Sequence, residues 1–347
     1  MELRVLRMTE ESLLNQKQIV EALLRPDAYE ETTGQIELRQ THISFIFLTR
    51  NFAYKVKKAV DFGFLDFTTL EKRRFFCEKE LELNKRLCGD MYIDVVPINK
   101  SDAVRINGEG KTIEYAVKMK RISEEKIMTK LLEEGKVDKG VIDRIAQIIA
   151  EFHLNAENNE RVDEFGSFFV IERNWRENFE QTQEFINKTI SLKKYQLIHK
   201  KVNSFMNENS TFLEKRVIDK RIRECHGDIH SGNIFIDENV YIFDAIEFNE
   251  RFRCSDCASD IAFLAMDLDF KNCKDLSIYL IEKYIQYSLD NNLKKILAFY
   301  KCYRAYVRGK VIGFKLTDPN IDNESKSETK KEAKAYFNLA AQYARQL

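Results

Sequence analysis

The sequence predicts an α+β protein in two lobes: a small antiparallel-sheet N-lobe carrying one long helix, then a larger, mostly helical C-lobe. Three observations lead there. With 347 residues, 44% of them apolar, the chain can bury one large core or two smaller ones. β-rich runs crowd into the first 120 residues around a single long charged helix. Beyond Met119 the apolar spacing becomes helical, apart from one β-hairpin over 222–248.

Residues 1–35 read as a helical extension, polar segments running to "LLRPDAY", where Pro26 stops the pattern. Residues 36–120, the N-lobe, read strand, strand, helix, strand, strand. "HISFIFLTR" and "FAYKVKKAV" are β-rich runs parted by Asn51, as in a tight antiparallel pair. The helix "TLEKRRFFCEKELELNKRLC" draws its apolar positions from Leu70, Phe75, Leu81, Leu83 and Leu87. Strands around "DAVRI" and "TIEYAVKM" follow, joined by "NGEG". The C-lobe, 121–347, holds the periodic helix "GVIDRIAQIIAEFHLNA" and further helices over 172–216 and 275–315. Its hairpin, "NIFID" and "YIFDAIEF" around "ENV", stands alone among helices. A polar linker over 316–330 and a helical tail, "EAKAYFNLAAQYARQL", end the chain.

Composition excludes several classes. Lys plus Arg and Asp plus Glu number 56 each, so there is no overall electrostatic case for nucleic acid or an anionic membrane as partner. No run approaches the roughly 18 apolar residues of a membrane helix. The start, "MELRVLRMTEESLLNQ", is too polar for a signal peptide, so a cytoplasmic protein is expected. Seven cysteines, an odd number, argue for reduced thiols. Cys254 and Cys257 form a CxxC without a second pair at ligand spacing and read as small buried side chains. "NGEGKT" over 107–112 ends like a phosphate-binding loop, but Arg105 stands where that motif needs glycine and a strand follows it, so it reads as a turn.

The chemistry concentrates in "CHGDIHSGNIFIDENVYIFDAIEF". A loop aspartate, Asp228, can accept the proton of an attacking hydroxyl, and an asparagine oxygen five residues on, Asn233, can coordinate a divalent ion. The antiparallel hairpin then returns Asp244 beside Asn233. Such a cluster suits phosphoryl transfer, which consists largely of positioning and charge neutralisation. A polar turn capped by its own side chains fits the spacing equally well.

"HGDIHSGNIFID…YIFDAIEF…DCASDIAFL" resembles the catalytic core of the aminoglycoside phosphotransferase family, whose members share the protein-kinase-like fold. The family pattern is HGDxHxxN, an aspartate in a following hairpin, then two aspartates four apart; here these are Asp228, Asn233, Asp244, and Asp256 with Asp260. The runs "THIS", "FLDF", "IEFN" and "SDIAFLAMDL" are most similar to an uncharacterised bacterial branch, and the likeness extends from about residue 36 to 315. The resemblance implies an ATP- and magnesium-dependent transfer of the γ-phosphoryl group to a small-molecule hydroxyl. It makes Asp228 the base, Asn233 and Asp244 the magnesium ligands, His226 a structural residue and Asp260 the group that holds the loop. Ser231 stands where many relatives have proline.

Upstream, Lys55 and Lys57 alternate on "FAYKVKK" and project from one strand face. Lys55 sits where the family places its ATP lysine, with Lys57 in reserve, and Glu80 or Glu78 is expected to pair with it. Met119, in "YAVKMKRI", is expected in the adenine pocket. No glycine lies between 35 and 62, so Thr41, His42 or Ser44 of "RQTHIS" are expected to meet the phosphates, which favours a small-molecule kinase over a protein or peptide kinase. A catalytically silent nucleotide-binding module is the reading from another class. Some relatives of the branch carry a further P-loop kinase domain, so a separate protein partner is a further expectation. His153 reads as a hydrogen-bonded core residue. Arg304 and Arg308 lie one helical turn apart in a region that lines the family's acceptor site, which admits an anionic substrate.

Overall fold

The computed structural model describes residues 10–317 and 321–347. In chain order the elements are α1 (Glu10–Leu23), β1 (Glu37–Gln40), β2 (Ser44–Leu48), β3 (Phe52–Lys57), α2 (Leu70–Cys88), β4 (Tyr92–Lys100), β5 (Val104–Ile106) and β6 (Lys111–Lys120). There follow α3 (Met128–Glu133), α4 (Lys139–Asn155), α5 (Glu160–Asp163), α6 (Phe168–Thr182), α7 (Leu192–Glu208), α8 (Ser210–Ile218) and β7 (Ile222–Glu224). The remainder are β8 (Ile234–Ile236), β9 (Val240–Ile242), α9 (Glu250–Arg253), β10 (Cys254–Asp256), α10 (Cys257–Phe270), α11 (Lys274–Ser288), α12 (Leu293–Phe314) and α13 (Asn323–Ala344). They form two compact units. The first takes the chain up to Lys130 together with Asn233–Glu250, and the second takes Leu131–Gly232 with Arg251–Leu347. The hairpin expected in the C-lobe thus clusters with the first unit, as does α1. The first nine residues of the expected extension lie outside the described residues.

The first unit is built on a six-stranded antiparallel sheet in the order β1-β2-β3-β6-β4-β5. Side chains alternate across it with period two. On one face Phe47, Tyr54, Val56, Val96, Ile98 and Ala116 make a core with Ile19 and Leu23 of α1. On the other, Ala53, Val117 and Met119 pack with Cys77 and Cys88 of α2 and with Phe235 of β8. Six strands stand where four were expected. The edge strand β1 is largely solvated, and β4 carries Pro97 opposite Tyr115 of β6 and one residue outside its ladder with β5, where a missing N–H is tolerated.

The expected hairpin through "NGEG" is also corrected. β5 pairs with β4, not with β6, so the turn carries the chain past β4 to its other side, with Lys100 opposite both Val104 and Lys111. Gly110 makes this possible: its φ is +100°, and a Cβ there would stand 2.3 Å from the carbonyl oxygen of Lys100. No phosphate-binding helix follows, as the sequence indicated.

The second unit is helical around one short pair, β7 with β10. α12 packs along α13 and α10, and α4 along α11. Trp175 of α6, 1% exposed, meets Phe179 and the α12 rings Phe299, Tyr303 and Tyr306 at 5.2–5.9 Å between centroids. Gly309 lets α13 approach α12, since a Cβ there would lie 3.1 Å from the Phe337 ring. The polar linker over 316–330 is helical from Asn323 onward. Asp322 caps α13 by accepting from Ser325 N at 2.9 Å, and Thr329 is already buried. Residues 318–320 of that stretch lie outside the described residues. No helix among the described residues is long and apolar enough to cross a membrane.

Candidate active site

In the first unit the pleat of β3 sends Tyr54 and Val56 to the α1 side and leaves Lys55 and Lys57 on the α2 side. There the buried residues of α2 are mixed, Arg73, Glu80 and Asn84 alternating with Cys77, Leu83 and Cys88. Lys55 Nζ lies 2.8 Å from Glu80 Oε1 and 2.6 Å from Asp244 Oδ1. Lys57 Nζ lies 2.7 Å from Glu80 Oε2 and also bonds Glu247. The same helix fixes the hairpin segment: Ala245 N donates to Asn84 Oδ1 at 3.0 Å, Asn84 Nδ2 donates to the Glu80 carbonyl, and Cys88 Sγ donates to the Ile242 carbonyl. Register Ile234↔Ile242 with the bond from Phe243 N to Asn233 O, 3.0 Å, places Asn233 and Asp244 at the same open end of the β8–β9 hairpin. Asp244 has φ +66° and its side chain remains 45% exposed.

Burial would depress both lysines and raise all buried acids, so the observed shifts report which charges win. Asp244 and Glu80 hold Lys55 well above the ordinary lysine range in spite of its burial, and Glu247 and Glu80 do the same for Lys57. Glu80, opposed by burial, is drawn down to about 2 by its two ammonium partners. Glu247 goes the other way, because burial outweighs the pull of Lys57. With all groups ionised the cluster holds two positive and three negative charges, an excess of one negative.

In the second unit the loop before β8 is held from below by carboxylates. Asp260 of α10 accepts from His226 N at 3.0 Å and Gly227 N at 2.9 Å, and Asp267, two turns on, accepts from Ser231 N at 2.8 Å. Arg304 of α12 donates to the Gly227 carbonyl at 2.8 Å and the Ser259 carbonyl at 3.1 Å. His153 gives one ring nitrogen to Tyr284 Oη, 2.7 Å, and the other to Asp260, 3.1 Å. Asp228, with its side chain 32% exposed, lies 3.5 Å from His230 Nε2. Burial would raise its pKa, but His230, then Arg308 and His226, hold it well below the usual carboxylate range.

Of the sequence-predicted residues, the structure brings Lys55, Lys57, Glu80 and Asp244 together and sets Asn233 beside Asp244. Glu78 is exposed and pairs with Arg74 instead. Ser44 is paired with Lys57 across β2–β3 and fully buried, its hydroxyl without a hydrogen-bond partner, so it is not presented to solvent. Thr41 holds the β1–β2 turn by accepting from Ser44 N at 3.0 Å. Met119, 6% exposed, is part of the α2-side core. Asp256 caps α10 and closes Arg216 into a bidentate pair. Sequence reasoning missed Glu247, Asn84 and Asp267; the one signal for Glu247 was an acid inside an apolar run. His153, Cys225 and Cys257 bring three donor atoms within 4.8 Å, yet both nitrogens of His153 are committed to hydrogen bonds, so the trio reads as packing beneath the loop.

No family model matches the chain. Two relatives, an uncharacterised protein of Mycobacterium tuberculosis and one of Mycobacterium bovis, are each 31% identical over 277 residues, 80% of this chain and 54% of theirs. The chain spans about half the length of the curated relatives it matches. A choline/ethanolamine kinase family protein from Mesorhizobium loti aligns over 96% of this chain and all of its own at TM-score 0.53 and 11% identity. An amicoumacin kinase solved with AMP-PNP, calcium and amicoumacin aligns over 95% of this chain and 94% of its own, also at 0.53 and 11%. The chain therefore has their fold, the protein-kinase-like one its sequence resembles.

Proposed function

We propose that the chain is a phosphotransferase that moves the γ-phosphoryl group of ATP to a hydroxyl of a small molecule, with Asp228, Asn233 and Asp244 as its reacting constellation. The observation that supports it most is the Lys55 ammonium fixed between Glu80 and Asp244. A cation buried on a strand and held by a helix carboxylate is prepared to meet polyphosphate oxygens, and Asp244 can release it when a nucleotide arrives. The hard oxygen donors of Asn233 and Asp244 fit magnesium, and Asp244 itself carries the one negative charge by which the carboxylates of its cluster outnumber the ammoniums. Magnesium bound there supplies neutralisation of the charge on the phosphates.

Asp228 receives the hydroxyl proton. Its depressed pKa makes it a weak base, so its work is to orient the hydroxyl and to accept the proton as the bond to phosphorus forms. Asp260, Asp267 and Arg304 supply the rigidity this needs by holding the loop backbone on both sides of it. The acceptors named for the two solved structures, choline or ethanolamine and amicoumacin, support the small-molecule class and do not select among its members. The test is ATP consumption by purified protein against a metabolite library, beside Asp228→Asn. The variant is expected to lose at least about a hundredfold in turnover. Equal turnover removes Asp228 from its role.

A further inference from the structure

That reading leaves the acceptor open, and one side chain of α12 bears on it. Arg304 sets the register of α12 against the loop by bonding the Gly227 carbonyl. Arg308 lies one turn on, on the same face, and its charge helps to hold down the carboxyl of the next loop residue, Asp228. The faces around it are Tyr336 of α13, whose ring centroid is 5.7 Å from the guanidinium carbon, and Asp267 of α10 at longer range. It is half-buried. Two deeper guanidiniums of this unit are closed by carboxylates, Arg216 by Asp256 and Asp290 and Arg253 by Glu224. Arg308 alone of the three has no carboxylate within 4.0 Å among the described residues. Apart from the Tyr336 hydroxyl, no side chain among the described residues neutralises this half-buried guanidinium, so its fork remains available to an anionic ligand.

We propose that Arg308 binds the acceptor, and that the acceptor is a small hydroxyl compound bearing an anionic group, carboxylate or phosphate, close to the hydroxyl that is phosphorylated. The inference rests on the phosphotransferase reading and names its substrate class. In the step, the acceptor oxygen bonds the γ-phosphorus and the bond to the β–γ bridging oxygen breaks. ADP keeps that electron pair, and the hydroxyl proton passes to Asp228. Without Arg308 an anionic acceptor would be repelled by Asp228 and Asp267; with it the anion is held and the hydroxyl is aimed at the aspartate. A cationic acceptor would meet a like charge.

ADP release from the full chain with magnesium and ATP is measured against four sets of hydroxyl compounds matched in size: neutral, cationic, carboxylate-bearing and phosphate-bearing. Turnover is expected with one or both anionic sets only, which also separates the two anions. In Arg308→Gln the acceptor KM is expected to rise about tenfold to a hundredfold with kcat within about threefold and the KM for ATP unchanged, and Arg308→Lys to recover part of the loss. Turnover confined to neutral or cationic compounds overturns the proposal, as does a glutamine variant that loses kcat alone, since that effect belongs to Asp228. Inorganic phosphate titrated calorimetrically without nucleotide separates the two readings. Saturable binding that weakens at least about tenfold in Arg308→Gln upholds the anion site even if no compound is phosphorylated. Binding that is equal in both proteins overturns it, as does absence of binding from the wild type together with no turnover of any anionic compound.

Discussion

Glu80 divides its two oxygens between Lys55 and Lys57, so one carboxylate sets the position of both ammoniums. The arrangement has a pH signature. Glu80 titrates at about 2 in the fold against 4.5 ordinarily. Its contribution to stability is therefore complete above the ordinary value and is lost as pH falls from about 4.5 through about 2. Urea unfolding at a series of pH values should show stability declining across that window. Glu80→Gln should be less stable at neutral pH, because two buried ammoniums lose their shared partner, and its decline across the window should be shallower. An unchanged slope in the variant would remove Glu80 from this role. Part of the candidate site was legible at this scale: alternation put Lys55 and Lys57 on one face of β3, and the hairpin pattern returned Asp244 beside Asn233, while the roles of these residues and of Asp228 came from the family resemblance. Glu247 did not, since a lone acid three residues after Asp244 has no pattern, and only the fold reveals that it faces Lys57.

α2 shows why helix periodicity can mislead about which face is buried. Of its expected apolar positions Leu83 is buried but Phe75 is 58% exposed, and the buried stripe also runs through Arg73, Glu80 and Asn84. A stripe that holds lysines and a hairpin segment must be partly polar, so the hydrophobic pattern marks it poorly. Strands obey the same logic. β3 and β6 alternate and were readable, but β1 is short and offers the core only Leu38, and β4 is broken in pattern by Asp94, Pro97 and Asn99. α13 was read as linker where its first turns carry Ser, Lys and Glu, residues that pass for coil until the α12 face is present to bury Thr329 and Ala333. In the second unit the join of α8 to α10 depends on Arg216, which spans Asp256 and Asp290 with three bonds of 2.6–2.8 Å. Arg216→Met would leave both carboxylates buried without their cation. The expected loss is about 3–5 kcal/mol in equilibrium unfolding. A loss under about 1 kcal/mol would show that the aspartates find water or other partners.

The chain is not divided in the order in which it is written. It leaves the first unit at Lys130, returns at Asn233 and leaves again at Glu250, so Lys55, Glu80, Asn233, Asp244 and Glu247 belong to one compact body drawn from two separate stretches. Sequence reading placed the boundary near residue 120 and kept the hairpin with the helices around it, because contiguity is all that a pattern can follow. The division bears on ligand response. A nucleotide that binds the folded chain and not the unfolded one stabilises it by about 2.7 kcal/mol at a hundred times its Kd. With magnesium and ATP together the unfolding midpoint is expected to rise, and to rise less with ATP and a chelator. Lys55→Met should abolish most of the response to the nucleotide, and Asp244→Asn should abolish the part that depends on magnesium while leaving a smaller, metal-independent shift. That split follows from the different roles given to a phosphate-facing cation and a metal-facing carboxylate, even though the two side chains touch in the structure. A magnesium-dependent shift retained in full by Asp244→Asn would take the metal away from the hairpin, and with it the reason for the negative excess beside Lys55.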